Sequence, residues 1–193
     1  MILIVVGIFV ALLIASQIYR SMATEKSEVQ PFNVIRNEKD FEIRFYPAVT
    51  MATITSSART YKALGSSGFR QLAGYIFGGN SSNQKIAMTS PVHMDVNDFA
   101  STMSFVMPAA YHKDNLPQPN DAGVKIETKA DEYVAAIKFG GFASDKKIKE
   151  YADKLESALK ANSIPYYGRF RFLGYNPPYQ LLGRKNEIIV RVE

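Results

Sequence analysis

The sequence contains no cysteine and only two histidines, His93 and His112. Without cysteine there can be no disulfide, no thiolate metal ligand and no thiol nucleophile. Two histidines cannot build a multi-histidine metal site within one chain. The lack of cysteine leaves the compartment open, because a domain of this size folds without disulfides in either redox environment. Long runs of one charge sign are also missing. The net charge of +5 and pI of about 9.3 could suit an anionic ligand, an acidic membrane surface or nucleic acid. The charges are scattered, however, so a solvated surface is the default reading. There is no nucleophile elbow, no phosphate-binding glycine loop and no HExxH, and the chain reads as a ligand-binding module rather than an enzyme.

What is present begins with an apolar run. Residues 2–19 carry no charge and as a helix would span about 27 Å, close to the hydrocarbon thickness of a bilayer. A secretory signal usually has a shorter apolar core, a basic residue before it and a small-x-small cleavage site. Here the one tolerable cleavage site is Ser21-Met22-Ala23. The run is therefore read as a single-pass anchor, with a cleaved signal and export as the alternative. Arg20 and Lys26 follow it and favour a cytoplasmic domain by the positive-inside tendency. Residues 1–20 are taken as the membrane segment, 21–30 as a polar tether and 31–193 as one domain.

Within that domain, residues 41–45 alternate with the period of a half-buried strand, and residues 49–55 are rich in β-branched side chains. A helix is predicted over residues 60–77, with Phe69, Leu72, Ala73 and Ile76 on one face. Gly78-Gly79-Asn80 ends it, a helix stop rather than a phosphate loop. Strands are expected over residues 85–96 and 101–107. The pattern then recurs: residues 124–128 form a short strand, residues 132–139 alternate, and Ser144 is a good N-cap. The second helix carries a stripe of Ile148, Tyr151, Ala152, Leu155 and Leu159, and Asn162 and Pro165 stop it. Residues 166–175 and 187–192 supply two last strands. Strand, helix, strand, strand thus appears twice, over about 48–107 and 132–192. This predicts an α+β fold, an antiparallel sheet curved or barrel-like, with two helices packed on it.

Three features invite chemical readings. Glu42 and Arg44 have i, i+2 spacing on a strand, so a surface ion pair on the outer face is expected. Arg169-Phe170-Arg171-Phe172 interleaves basic and aromatic residues as single-strand binders do. On a strand the same alternation places two aromatics in the core and two arginines in water, so no nucleic-acid partner is assigned. His93 lies near Met88 and Met94, a possible haem-ligand set. In a regular strand His93 would point away from both methionines, and a hydrogen-bonded structural or surface histidine is the other reading.

Several motifs then converge in order. Glu42, Arg44 and Tyr46 are similar to the E-x-R-x-Y opening of the SOUL family of haem-binding proteins. Gly68-Phe69 to Leu72, followed by Tyr75-Ile76-Phe77-Gly78-Gly79-Asn80, resembles that family's helix end. Lys85-Ile86-Ala87-Met88-Thr89-Ser90-Pro91-Val92 resembles its KIAMTAPV segment. Phe105 to Pro108 with Leu116-Pro117-Gln118-Pro119, and Tyr175-Asn176-Pro177-Pro178 with Arg184-Lys185-Asn186-Glu187, match the later ones. The likeness covers residues 30–193. It implies a distorted antiparallel β-barrel from two βαββ halves. It also implies non-covalent binding of haem or another tetrapyrrole in an apolar surface groove beside the first helix. Carried onto this chain, the groove is Phe69, Arg70, Ala73, Gly74 and Phe77, with Tyr179 and Gln180 nearby; His93 is the candidate iron ligand. Some members carry a histidine between the arginine and tyrosine of E-x-R-x-Y, where this chain has Phe45. Others carry basic residues where this chain has Ser66, Gly74 and Gln180, which leaves Arg70 as the basic residue in mid-helix. The motif residues also have turn and packing roles: Asn186 can bond loop backbone, and Arg184 can pair with Glu187 or another acid.

The resulting expectation is a monomeric tetrapyrrole carrier or buffer, held at a membrane by residues 2–19. The alternative is a non-haem small-molecule sensor or protein-interaction module, since the fold also resembles effector-binding domains of some bacterial transcription regulators. An enzyme acting on a tetrapyrrole has no acid–base constellation to support it.

Overall fold

The computed structural model describes residues 27–193. The expected membrane segment and most of the tether lie outside these residues. Among the described residues, no helix is long and apolar enough to cross a membrane. Nine strands and two helices follow in order: β1 Asn33–Asn37, β2 Glu42–Tyr46, β3 Val49–Ser56, α1 Tyr61–Ile76, β4 Val92–Asp95, β5 Ser101–Val106, β6 Val124–Lys129, β7 Glu132–Gly140, α2 Asp145–Ala161, β8 Tyr166–Gly174 and β9 Lys185–Val192.

All nine strands form one antiparallel sheet in the order β1-β2-β7-β9-β8-β4-β5-β3-β6, which curls into a half-barrel. The two βαββ units are β3-α1-β4-β5 and β7-α2-β8-β9, and they meet at the β4–β8 pair. In each unit the third strand lies between the first and second. β2 precedes the first unit but pairs with β7 of the second; β6 precedes the second unit but pairs with β3 of the first. This exchange of flanking strands interlocks the halves and explains why no linker divides them. The expected barrel is corrected to an open curled sheet, because β1 and β6 remain edges.

Both helices follow their sequence signals. Thr60 caps α1 and Ser144 caps α2, each accepting from the backbone N–H three residues on. The stop after α1 is made by Gly78 at φ +114° and by Gly79, whose N–H donates to Gly74 O at 2.8 Å. A Cβ on Gly79 would lie 2.6 Å from that same carbonyl oxygen, so only glycine fits the approach. The strand expected over 85–96 shrinks to Val92–Asp95, since Pro91 lacks a ladder N–H. β1 was not anticipated. Its residues are all exposed, so Asn33-Val34-Ile35-Arg36-Asn37 carries no buried alternation. Residues 28–30, expected in the tether, belong to the domain: Val29 bridges Ser90, and Gln30 is buried.

The helices cover one face of the sheet over an apolar core that includes Ile54, Leu72, Ile76, Met103, Leu155 and Ile188. The far face of the sheet, away from the helices, holds a second and smaller cluster of Tyr46, Val134, Ala136, Leu173, Tyr175 and Ile189.

Candidate functional site

Helix α1 sorts its residues by period. Leu64, Gly68, Leu72, Tyr75 and Ile76 are buried. Gly68 allows the close approach, since a Cβ there would stand 3.0 Å from Ile54 Cδ1 and 3.3 Å from Met103 Sδ. Lys62, Ser66, Arg70 and Gly74 recur every four residues on the outer side, and all are exposed. Beside that stripe run Phe69, Ala73 and Phe77. Phe69 is half-buried, with its ring 5.3 Å from that of Phe105. Ala73 is buried, and Phe77 is 62% exposed. A Cβ on Gly74 would meet nothing within 4 Å. The outer face of α1 thus carries small residues at Ser66 and Gly74, with Arg70 between them in the stripe, Lys62 one turn before Ser66, and Phe69, Ala73 and Phe77 alongside. Lys85 lies at the far end, paired by a bridge to Phe77.

Five of the seven predicted groove residues therefore share one helix face or its edge. Tyr179 and Gln180 sit in the β8–β9 connection. Tyr179 is exposed. Gln180 is buried: its Nε2 donates to Leu182 O at 2.9 Å, and its carbonyl accepts from Arg184 at 2.7 Å. Lys62 was missed by the sequence reading, although its i, i+8 spacing from Arg70 places it on the same stripe.

His93 lies on the other side of the sheet. Its neighbour Met94 packs into the helix-side core, so the strand alternation turns His93 to the far face. It pairs in register with Ser104 and Leu173, and its Nε2 is 2.7 Å from Gln30 Oε1. The ring is 7% exposed; burial and then Arg171 depress its pKa to about 3, so it is neutral at pH 7 and donates to Gln30. Phe45, at the position where some relatives carry a histidine, stacks against Tyr133 with ring centroids 5.0 Å apart. His112 is exposed, with its backbone N–H on Asn115 Oδ1.

The far face holds the chief correction. Arg44 is not on the surface: it is fully buried and grips Glu187 with two bonds of 2.8 and 3.1 Å. It also donates to Tyr46 Oη at 3.1 Å and to Glu42 at 2.7 Å, and Tyr175 Oη donates to Glu187 at 2.7 Å. Burial works to lower the Arg44 pKa, but the Glu187 carboxylate more than offsets it and raises it; burial and the same carboxylate push the Tyr175 hydroxyl up. The expected partner of Arg184 is likewise corrected: its guanidinium donates to the carbonyls of Pro177 and Gln180. Asn186 does bond loop backbone, at Phe139 O and Gly141 O. Three of the sequence motifs thus meet in one buried network, which gives them a role in specifying the fold.

Arg171, expected in water, is mostly buried and donates to Glu132 at 2.8 Å. With Asp95, Lys129, Arg169 and Arg191 these two residues line a hollow of about 450 Å³ on the far face. A second hollow of about 910 Å³ lies between α2 and the strands, against Tyr151, Lys138 and Ile137.

With the geometry in place, comparison with known proteins identifies the relationship. The model of the SOUL heme-binding protein family matches residues 27–191. Heme-binding protein 2 of Mus musculus is 34% identical over 157 residues, covering 77% of this chain and 76% of that protein. Heme-binding protein 1 of Xenopus laevis is 28% identical over 166 residues, covering 80% and 86%. Among solved structures, the C-terminal domain of EcmrR aligns with a TM-score of 0.61 at 8% identity, covering 79% of this chain and 96% of that one. A hydrolase from Listeria innocua aligns with a TM-score of 0.51 at 8% identity, covering 82% and 93%. These two likenesses are of fold alone. The chain belongs to the SOUL heme-binding protein family.

Proposed function

We propose that this protein binds haem or a related tetrapyrrole on the outer face of α1, as a carrier or buffer at a membrane. The observation that carries the reading is the open space at Gly74, on the helix face that also carries Arg70 and the exposed Phe77. A flat macrocycle needs apolar contact along one face and cations at its edge for the propionates. Phe69, Ala73 and Phe77 supply the first; Arg70, Lys62 and Lys85 supply the second. Tyr179, exposed on the β8–β9 connection, is a further apolar contact in this reading. Gln180 orders that connection from within through Leu182 and Arg184.

The residues present fit the macrocycle better than its iron. His93 is behind the sheet and neutral, with Nε2 on Gln30, so ligation by it would require the domain to open. The binding is therefore non-covalent, reversible and independent of His93, which suits a carrier that must release its cargo. The apolar run 2–19 anchors the domain beside a bilayer, with Arg20 and Lys26 favouring the cytoplasmic side.

The test is a haemin titration of the full-length chain followed by its absorption band near 400 nm, in parallel with Gly74→Leu and Arg70→Glu. Saturation at one haemin per chain, weakened about tenfold or more by each substitution, is the expected result. Saturation indifferent to both would move the site off α1, and no saturation would move the function to another ligand class.

A further inference from the structure

We propose that the far face of the sheet carries a second site, for a small multivalent oxyanion such as pyrophosphate or a polycarboxylate, lined by Lys129, Arg169, Arg171 and Arg191. This site is separated from the α1 face by the thickness of the sheet, and it does not depend on the tetrapyrrole reading.

Four cations and two acids, Asp95 and Glu132, line a hollow of about 450 Å³, a size that holds a small molecule. Both acids are already paired. Glu132 is buried and receives Lys129 at 2.7 Å, Arg171 at 2.8 Å and Arg191 at 3.4 Å. Burial pushes its carboxyl up to about 7, against the opposing charge of Arg191. Asp95 accepts a two-pronged contact from Arg169 at 3.0 and 3.1 Å. Even with both acids charged, four cations against two acids leave an excess of two positive charges, and three of the cations share the one Glu132 carboxylate. An anion entering the hollow would complete the set.

The local backbone builds the arrangement. β8 and β9 slip register between Tyr167 and Arg171, and Gly168 stands in that irregularity at φ +79°. Arg169 and Arg171, two residues apart, line one hollow as strand alternation expects, and the bulge adds the Gly168 backbone to its lining. A Cβ on Gly168 would meet nothing within 4 Å, so the mouth is open there. Arg191 is held from behind, its guanidinium 5.3 Å from the Tyr167 ring centroid, and it reaches Glu132 through Nε. An arginine has five N–H donors in a planar fork that matches phosphate and carboxylate oxygens. One ion pair uses only part of that fork. Arg171 is depressed to about 10 by burial, still charged at neutral pH, and its charge acts through a poorly solvated medium. The sign of the excess favours an anion, and the bounded volume favours a small one over a polymer.

The test is calorimetric titration of the full-length chain at low ionic strength with pyrophosphate and, separately, with citrate. The variants are Arg169→Gln and Arg191→Gln, both exposed enough to fold, with Arg36→Gln on the distant β1 edge as the control. The proposal expects one-to-one saturation by at least one of the two probes, weakened by salt, unaffected at Arg36 and reduced about tenfold at Arg169 and at Arg191. Which probe binds more tightly separates phosphate from carboxylate chemistry. Saturation by neither, or saturation unchanged by both arginine substitutions, overturns it. An unchanged haemin titration in Arg191→Gln keeps this outcome distinct from that of the α1 site.

Discussion

The two faces of the one sheet are built on opposite plans. The helix face is closed by hydrocarbon: Leu64, Leu72, Leu155 and Leu159 are fully buried against strand side chains. The far face is centred on charge: Arg44 and Glu187 are fully buried, and Tyr46 and Tyr175 complete their bonds. Apolar packing tolerates exchange of similar volumes. A buried ion pair does not, since losing either member leaves an uncompensated charge. The far face therefore depends on particular residues, those of Glu42-x-Arg44-x-Tyr46 with Tyr175 and Glu187. On the helix face the family-like stretch from Gly68 to Asn80 is held by close packing and a helix stop rather than by charge.

The sharpest way to break this contrast is Arg44→Met. It should lose about 3–5 kcal/mol of stability in a denaturant titration, because Glu187 stays buried without its cation. Arg44→Met with Glu187→Met should regain much of that loss. A double variant as unstable as the single one would show that the ion pair is not what the far face depends on. On the helix face, Leu72→Ala should cost about 3 kcal/mol by opening a cavity.

A pH-dependent effect of similar size separates the faces. His93 is depressed to about 3 by burial in the folded chain and titrates near 6.5 when unfolded. Between those values the unfolded state binds the extra proton. The His93 contribution is therefore complete above pH 6.5 and is lost as pH falls toward 3, at about 1.4 kcal/mol per unit. His93→Gln should flatten that slope in stability measured from pH 7 to pH 4; an unchanged slope would mean the imidazole is solvated. The smallest effect is Gly74→Ala, expected to stabilise α1 by about 0.5–1 kcal/mol in thermal unfolding, since the new methyl meets open space.

The contrast also explains what the sequence could reveal. Both helices were legible from caps and a 3.6-residue period, and Ile148, Leu155 and Leu159 are buried as their stripe predicts. The two βαββ units were legible because each alternating run meets a core on one side. Arg44 and Arg171 were misplaced for a physical reason. Period two says that a strand has two unlike faces, and polar residues normally mark the wet one. Curling encloses the polar face as well, so alternation alone could not show that it is dry. β1 offered no signal, being exposed throughout. On α1, Arg70, Gly74 and Phe77 came from the family likeness, and their exposure around an open space is a property of the folded helix.

The account rests most heavily on α1 as the tetrapyrrole face, and a haemin titration of full-length Gly74→Leu beside the unsubstituted chain tests it most directly, with circular dichroism to verify the fold. The account predicts one-to-one saturation in the unsubstituted chain and a loss of about tenfold or more when leucine fills that space. Equal affinity in two equally folded proteins would contradict it.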